Sequence, residues 1–142
     1  MKIWFMDTGF VIALSAPRDK FHAKALQLAA EIERSRISLV TTHAVLLEIG
    51  AALSKVAFRA DAARLIQSLM SDATVEIVPS DANLMQAALK LFEDYSDKEW
   101  SLCDCTSFVV MKKLQLSSSL STDHHFGQAG FDALLLHDIV IH

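Results

Sequence analysis

Cysteine is nearly absent from this chain: there are two, Cys103 and Cys105, one on each side of Asp104. A disulfide between residues two apart would be badly strained, and no second cysteine pair exists to complete a zinc site. Both therefore read as reduced thiols in the core of a cytosolic protein. A long apolar segment is also missing. Met1-Lys2-Ile3-Trp4-Phe5-Met6 is largely apolar for only a few positions before Asp7, too short for a signal-peptide core or a membrane span. The expectation is a cytoplasmic protein with no membrane segment. An excess of positive charge is lacking as well. Thirteen Lys and Arg stand against 17 Asp and Glu, for a formal net charge of -4 and a pI near 5.8. That excludes the extended basic footprint that drives non-specific nucleic-acid binding. Any contact with a polyanion would need help from a bound cation.

What is there is apolar material: 52% of the 142 residues are hydrophobic, enough for one compact domain over residues 1–142 to bury a full core. No linker or repeat interrupts it. Apolar runs of strand length alternate with helix-period segments, the pattern of an α/β domain with a parallel sheet. Strands are predicted at Lys2 to Met6, Ile37 to Thr41, Val75 to Val78 and Ser118 to Thr122, with a weaker one near Leu134 to His137. Apolar residues at i, i+3, i+4 spacing predict helices at His22 to Arg34, His43 to Ala57, Asp61 to Met70, Ala82 to Tyr95 and Leu102 to Leu114. The two middle helices would form a hairpin through Phe58-Arg59-Ala60, with Asp61 as N-cap. Its apolar residues, Leu53, Val56, Phe58, Leu65, Ile66, Leu69 and Met70, exceed what one core face needs.

Four acids stand out. Asp7 and Asp123 each follow a predicted strand directly, so both should emerge at the carboxyl edge of a parallel sheet, where open α/β folds bind ligands. Glu48 falls in the helix after the second strand, and Asp104 in the first turn of the helix that leads to the fourth. Each has a structural alternative. Asp7 can cap a short helix through Phe10 to Leu14, Asp123 can cap a turn through His125 and Phe126, and Ser101 with Asp104 fits a capping box. Glu48 lies in an almost uniformly apolar helix predicted to be buried, with no Lys or Arg within a turn, where an unpaired carboxylate would cost several kcal/mol or take up a proton. A bound cation resolves that conflict and the mutual repulsion of the four. An oxygen-only donor set suits Mg²⁺ or Mn²⁺ rather than zinc, and such ions serve phosphodiester hydrolysis. The six histidines look too scattered to form a rival site.

These acids, in this order and context, resemble the PIN-domain nuclease family over nearly the whole chain. The stretches that carry the resemblance are Phe5-Met6-Asp7-Thr8-Gly9, Leu47-Glu48-Ile49, Trp100-Ser101-Leu102-Cys103-Asp104-Cys105-Thr106-Ser107-Phe108, and Ser121-Thr122-Asp123-His124-His125-Phe126 with Gly130-Phe131. The resemblance implies an α/β/α sandwich around a central, mainly parallel sheet of four to five strands. It implies a Mg²⁺- or Mn²⁺-dependent ribonuclease of the kind found as the toxin of toxin-antitoxin pairs. Asp7, Glu48, Asp104 and Asp123 inherit the catalytic and metal-binding role, and Thr8 and Thr122 are hydroxyl candidates for lining the site. Many toxin members place an acid immediately before the Phe of the last motif, where this chain has His125, which leaves a second metal open. Asp97 reads as a fifth acid or as part of the polar loop Ser96-Asp97-Lys98. Lys98 is a candidate phosphate contact, and Trp100 either stacks on a base or packs in the core.

Asp7-Thr8-Gly9 is also the tripeptide of aspartic proteases, but those are all-β, and here it ends a strand and opens a helix. A phosphatase with Asp7 as nucleophile would want an acid two residues on, where Gly9 stands. The remaining rival is a non-catalytic module that binds RNA or protein on the same fold. With a mean hydropathy of +0.32, the chain is expected to cover apolar surface by forming a homodimer or by binding a partner. The resemblance makes an antitoxin protein the natural partner, its helix lying against the hairpin.

Overall fold

The computed structural model describes residues 2–137. In chain order the elements are β1 Ile3–Met6, α1 Thr8–Ser15, α2 His22–Ser35, β2 Ser38–Thr42, α3 His43–Ala52, α4 Val56–Ser71, β3 Val75–Val78, α5 Ala82–Asp94, α6 Leu102–Lys113, β4 Ser118–Leu120, α7 His125–Gln128 and β5 Asp132–Ala133, followed by a 3₁₀ turn at Leu134–Leu136. The strands form one sheet in the order β3-β2-β1-β4-β5, with every pairing parallel. Helices cover it, so consecutive strand residues such as Phe5 and Met6, or Leu39 and Val40, are all buried, as befits a sheet packed on both faces. An aromatic line ties one helical layer to the sheet. Trp100 meets Phe108 edge-on at 5.1 Å, Phe108 meets Phe126 at 4.9 Å, and Phe126 reaches Phe5 at 6.3 Å.

Strand order reverses at β1. The chain leaves β1 towards β2 on one side, while β4 docks on the other through Phe5 beside Ser119 and Met6 beside Leu120. The crevice past the carboxyl ends of β1 and β4 is thus the switch point at which doubly wound sheets take their ligands. Asp7 opens from one lip and Asp123 from the other, and the Asp7 amide donates to the Leu120 carbonyl at 3.2 Å.

Several elements depart from the sequence reading by more than a residue. The helix predicted to run to Ala57 ends at Ala52, and α4 starts at Val56, so Phe58-Arg59-Ala60 is helical and Asp61 is no cap but pairs with Arg64. The break is at Ser54, whose carbonyl accepts from Arg59 Nη1 at 2.8 Å; apolar residues flank it on both sides, so periodicity does not reveal it. The last strand is Asp132–Ala133, not Leu134 to His137. Ser119 Oγ donates to the Asp132 carbonyl, and the Asp132 amide donates to Ser117, both at 2.8 Å, and the leucines that follow turn away as 3₁₀. The fourth strand stops at Leu120, and the next residue, Ser121, turns its hydroxyl towards Asp7. The segment after Asp7 is a full helix, Thr8–Ser15. Among the described residues no helix is long and apolar enough to cross a membrane.

Candidate active site

Asp7 occupies the N-cap position of α1, but its side chain makes no capping bond. Instead Ser121 Oγ donates to Asp7 Oδ2 at 2.9 Å. The residue is 8% exposed. Burial pushes its carboxyl up to about 7. The Ser121 hydroxyl and the Thr8 backbone oppose the shift, and the Glu48 and Asp104 carboxylates add to it.

Glu48 is exposed, contrary to the buried position expected of it. Helix α3 turns Val45, Leu46 and Ile49 inward and leaves Leu47 and Glu48 outside, Leu47 being 74% exposed. The burial argument for a cation at Glu48 therefore falls. Its place at the site comes from Thr8, whose Oγ1 donates to Glu48 Oε1 at 2.8 Å. The two residues stand 40 apart in sequence.

At Asp104 the capping reading holds, and the residue also borders the depression shared with the other three acids. The capping box is formed: the Asp104 amide donates to Ser101 Oγ at 2.9 Å, and the Ser101 amide donates to Asp104 Oδ2 at 3.1 Å. His125 Nδ1 lies 3.0 Å from the same Oδ2. Burial raises the Asp104 carboxyl, the Ser101 amide lowers it, Asp123 raises it and His125 lowers it. Asp123 also turns its own loop, accepting from the His125 amide on Oδ1 at 2.9 Å. In both acids the described side-chain hydrogen bonds fall on one oxygen, Oδ2 of Asp104 and Oδ1 of Asp123.

The four acids border one open depression of about 370 Å³, together with Thr8, Gly9 and Thr122. Gly9 is there for space: a Cβ would collide with Thr122 Oγ1. Gly9→Ala should therefore force Thr122 and the β4 end outward and cost about 1–3 kcal/mol, read as a lowered midpoint of urea unfolding. An unchanged midpoint would show that Thr122 can turn aside freely.

Ser121 is the residue that reasoning from sequence missed. Wholly buried, it donates to Asp7 and accepts from the Asp123 amide at 3.0 Å, so one hydroxyl ties the two lips of the crevice. A hydroxyl at a buried strand end, two residues before an acid, was the available signal. Cys103 is half-buried and packs against the core, and burial, then the neighbouring carboxylates, push its thiol up. Cys105 is buried as expected.

Lys98 is not among the residues bordering the depression. It pairs with Asp97 at 3.3 Å in the turn after α5, so both belong to the polar loop. Trp100 packs in the core, its Nε1 donating to Gln128 Oε1 at 2.9 Å. Of the histidines, the adjacent His124 and His125 lie against Asp123, the ligand atoms of the three within 4.8 Å of one another, while His22 and His43 lie elsewhere.

The donor set fits a hard divalent ion. Four carboxylates border one depression, and at Asp7 burial, with smaller contributions from Glu48 and Asp104, disfavours the charge that a cation would stabilise.

Residues 4–132 match the PIN domain family. The chain is 31% identical over 128 residues to the 23S rRNA-specific endonuclease VapC20 of Mycobacterium tuberculosis, covering 89% of this chain and 94% of that protein. Its fold superposes on the crystal structure of VapC20, described as a sarcin-ricin loop cleaving toxin, with a TM-score of 0.81 at 27% identity, covering 93% of this chain and 98% of the other. FitAcB from Neisseria gonorrhoeae (TM-score 0.64, 14% identity, 92% and 94% covered) and VapBC-1 from nontypeable Haemophilus influenzae (0.60, 16%, 89% and 91%) share the fold. With an all-parallel sheet, acids on both lips of its switch point and a family match spanning nearly every element, the chain belongs to the PIN-domain nuclease family.

Proposed function

We propose that the chain is a Mg²⁺- or Mn²⁺-dependent endoribonuclease, the toxin of a toxin-antitoxin pair, built as a single unit over residues 1–142 and acting in the cytoplasm. The observation that carries this reading is the convergence of Asp7, Glu48, Asp104 and Asp123 on one depression at the switch-point crevice. Those four acids would hold the ion, which when bound supplies positive charge to the scissile phosphate and a water of lowered pKa. The chain's own groups prepare that position. Ser121 fixes Asp7 against Asp123, Thr8 draws Glu48 in from the rim, and the capping box fixes Asp104. Thr8 and Thr122 line the depression where a ribose or phosphate oxygen would lie.

The similarity to VapC20 makes the sarcin-ricin loop of 23S rRNA the first substrate to try. Incubation of that RNA and of a mixed RNA pool with Mn²⁺, with chelator as control, should give metal-dependent cuts. No cleavage together with no Mn²⁺ binding would favour a non-catalytic module. Held by a chain of net charge -4, the RNA would meet few cations, such as Arg18, Lys20, Lys98, Lys112 and Lys113. At roughly -0.7 per neutralised phosphate, binding in Ca²⁺ should show a shallow salt slope, on the order of -1 to -3. Steep salt dependence that persists in chelator would point to a basic groove instead.

The antitoxin's seat is the α3–α4 hairpin. Leu47, Val56, Phe58 and Met70 are exposed there, and Leu53, Phe58 and Leu65 face Ile12 and Pro17 across a shallow groove. An apolar helix would lie on this surface and send a basic arm to the acids. A second copy of the chain would cover further apolar surface as a homodimer, in which Met85, Leu89 and Phe92 of α5 are the exposed side chains to cover.

A further inference from the structure

We propose that His124 and His125, together with Asp123 and Asp104, form a second, imidazole-bearing metal position at the rim of the carboxylate cluster, one that takes Mn²⁺, Co²⁺ or Zn²⁺ in preference to Mg²⁺. It shares two acids with the centre proposed above and so deepens that reading, but ion binding here requires no RNA chemistry.

The local sequence makes the position. Asp123 accepts the His125 amide on its own Oδ1, a tight turn that starts α7 and brings two consecutive histidines to one side. Their rings stand 4.6 Å apart. His125 Nδ1 lies 3.0 Å from Asp104 Oδ2 and 3.2 Å from Asp123 Oδ1, and His124 Nδ1 lies 3.8 Å from that same Asp123 oxygen. His125 Nδ1 thus stands between two carboxylate oxygens, in the gap that a cation would fill. Asp123, His124 and His125 have donors that all lie within 4.8 Å of one another, and Asp104 joins them through His125, so the three distances approach those of a coordination shell. At metal-ligand distances of about 2.1 Å, neighbouring ligands stand roughly 3.0 Å apart in an octahedron and about 3.4 Å apart in a tetrahedron. Small movements of the exposed His124 ring would bring the last donor in.

The chemistry differs from that of the carboxylate cluster. Imidazole nitrogen is a poor ligand for Mg²⁺ and a good one for the later divalent ions. The remaining oxygens, Oδ1 of Asp104 and Oδ2 of Asp123, carry none of the described side-chain hydrogen bonds. The same two acids can therefore serve the carboxylate cluster through one oxygen and the imidazole position through the other. The rim position would then give the protein a sensitivity to transition-metal supply that four carboxylates alone do not provide.

The test is pulsed electron paramagnetic resonance on the full, untagged chain loaded with Mn²⁺ alone. Nitrogen modulation from a bound imidazole is expected in the wild type and should vanish in the double variant His124→Ala, His125→Ala. Calorimetry with Co²⁺ should show affinity falling about tenfold or more in that variant. Absence of nitrogen modulation in the wild type overturns the proposal whatever the variant's folding, and so does modulation undiminished in a folded double variant. Asp7→Asn separates this position from the carboxylate centre. Nitrogen coupling that survives there belongs to the rim, and coupling in a wild type that cuts no RNA sinks the nuclease reading alone.

Discussion

Asp7→Asn should lower RNA cleavage by about 100-fold or more, a loss of roughly 3 kcal/mol of transition-state stabilisation or greater. It should also weaken Mn²⁺ binding. Asparagine keeps the shape and can still accept from Ser121, so the change isolates the negative charge. Asp104→Asn should behave alike in catalysis but differ in stability, because Asp104 Oδ2 also accepts the Ser101 amide. Ser101→Ala is the control: it removes the Ser101 Oγ that accepts the Asp104 amide, costs about 1 kcal/mol of stability, and leaves all four carboxylates in place. Metal affinity unchanged in both asparagine variants would sink the assignment. Metal affinity lost equally in Ser101→Ala would show that Asp104 acts through the cap.

How much of this was legible in the sequence differs between the sheet and the site. Short apolar runs mark β1 and β2, while β3 carries the exposed Glu76, β4 is Ser118-Ser119-Leu120, and β5 is two residues held by a Ser119 hydroxyl. The break at Ser54 is hidden in the sequence because apolar residues, Leu53 and Val56, flank it, although residues 54–61 are exposed in the structure. At the site, strand-end acids were readable because topology alone puts Asp7 and Asp123 at one edge. At Glu48 an apolar helix suggests burial, but Leu47 and Glu48 share an outward face. The link that holds Glu48 is a hydroxyl 40 residues away, and such a pairing exists only in three dimensions. The same holds for Ser121 and Asp7, 114 residues apart, and for His125 and Asp104.

Stability of the metal-free protein should fall as pH rises from about 4 to about 7. Asp7 has a carboxyl pushed up to about 7 from an ordinary 3.8. Between those values the folded chain holds a proton that the unfolded chain has released. Linkage then makes unfolding more favourable with each step up in pH, at a limit of about 1.4 kcal/mol per pH unit for one group. Over the window this amounts to several kcal/mol at most, lost fully only above the folded-state value. Asp104, raised by burial as well, acts with the same sign. Asp72, held low by Thr74, acts with the opposite sign, and only below its ordinary value, outside the window. A divalent ion should flatten the profile, since it favours the ionised acids. Asp7→Asn has no charge to place there, so it should be more stable than the wild type at pH 8 in chelator, by about 2–4 kcal/mol. At pH 4 the two should nearly coincide. Urea unfolding of both proteins at pH 4, 6 and 8, with chelator and with Mn²⁺, measures all of this. Parallel pH profiles in chelator would mean that Asp7 ionises without penalty, and that Ser121 and the Thr8 backbone are enough to keep a carboxylate at the centre of the site without a cation.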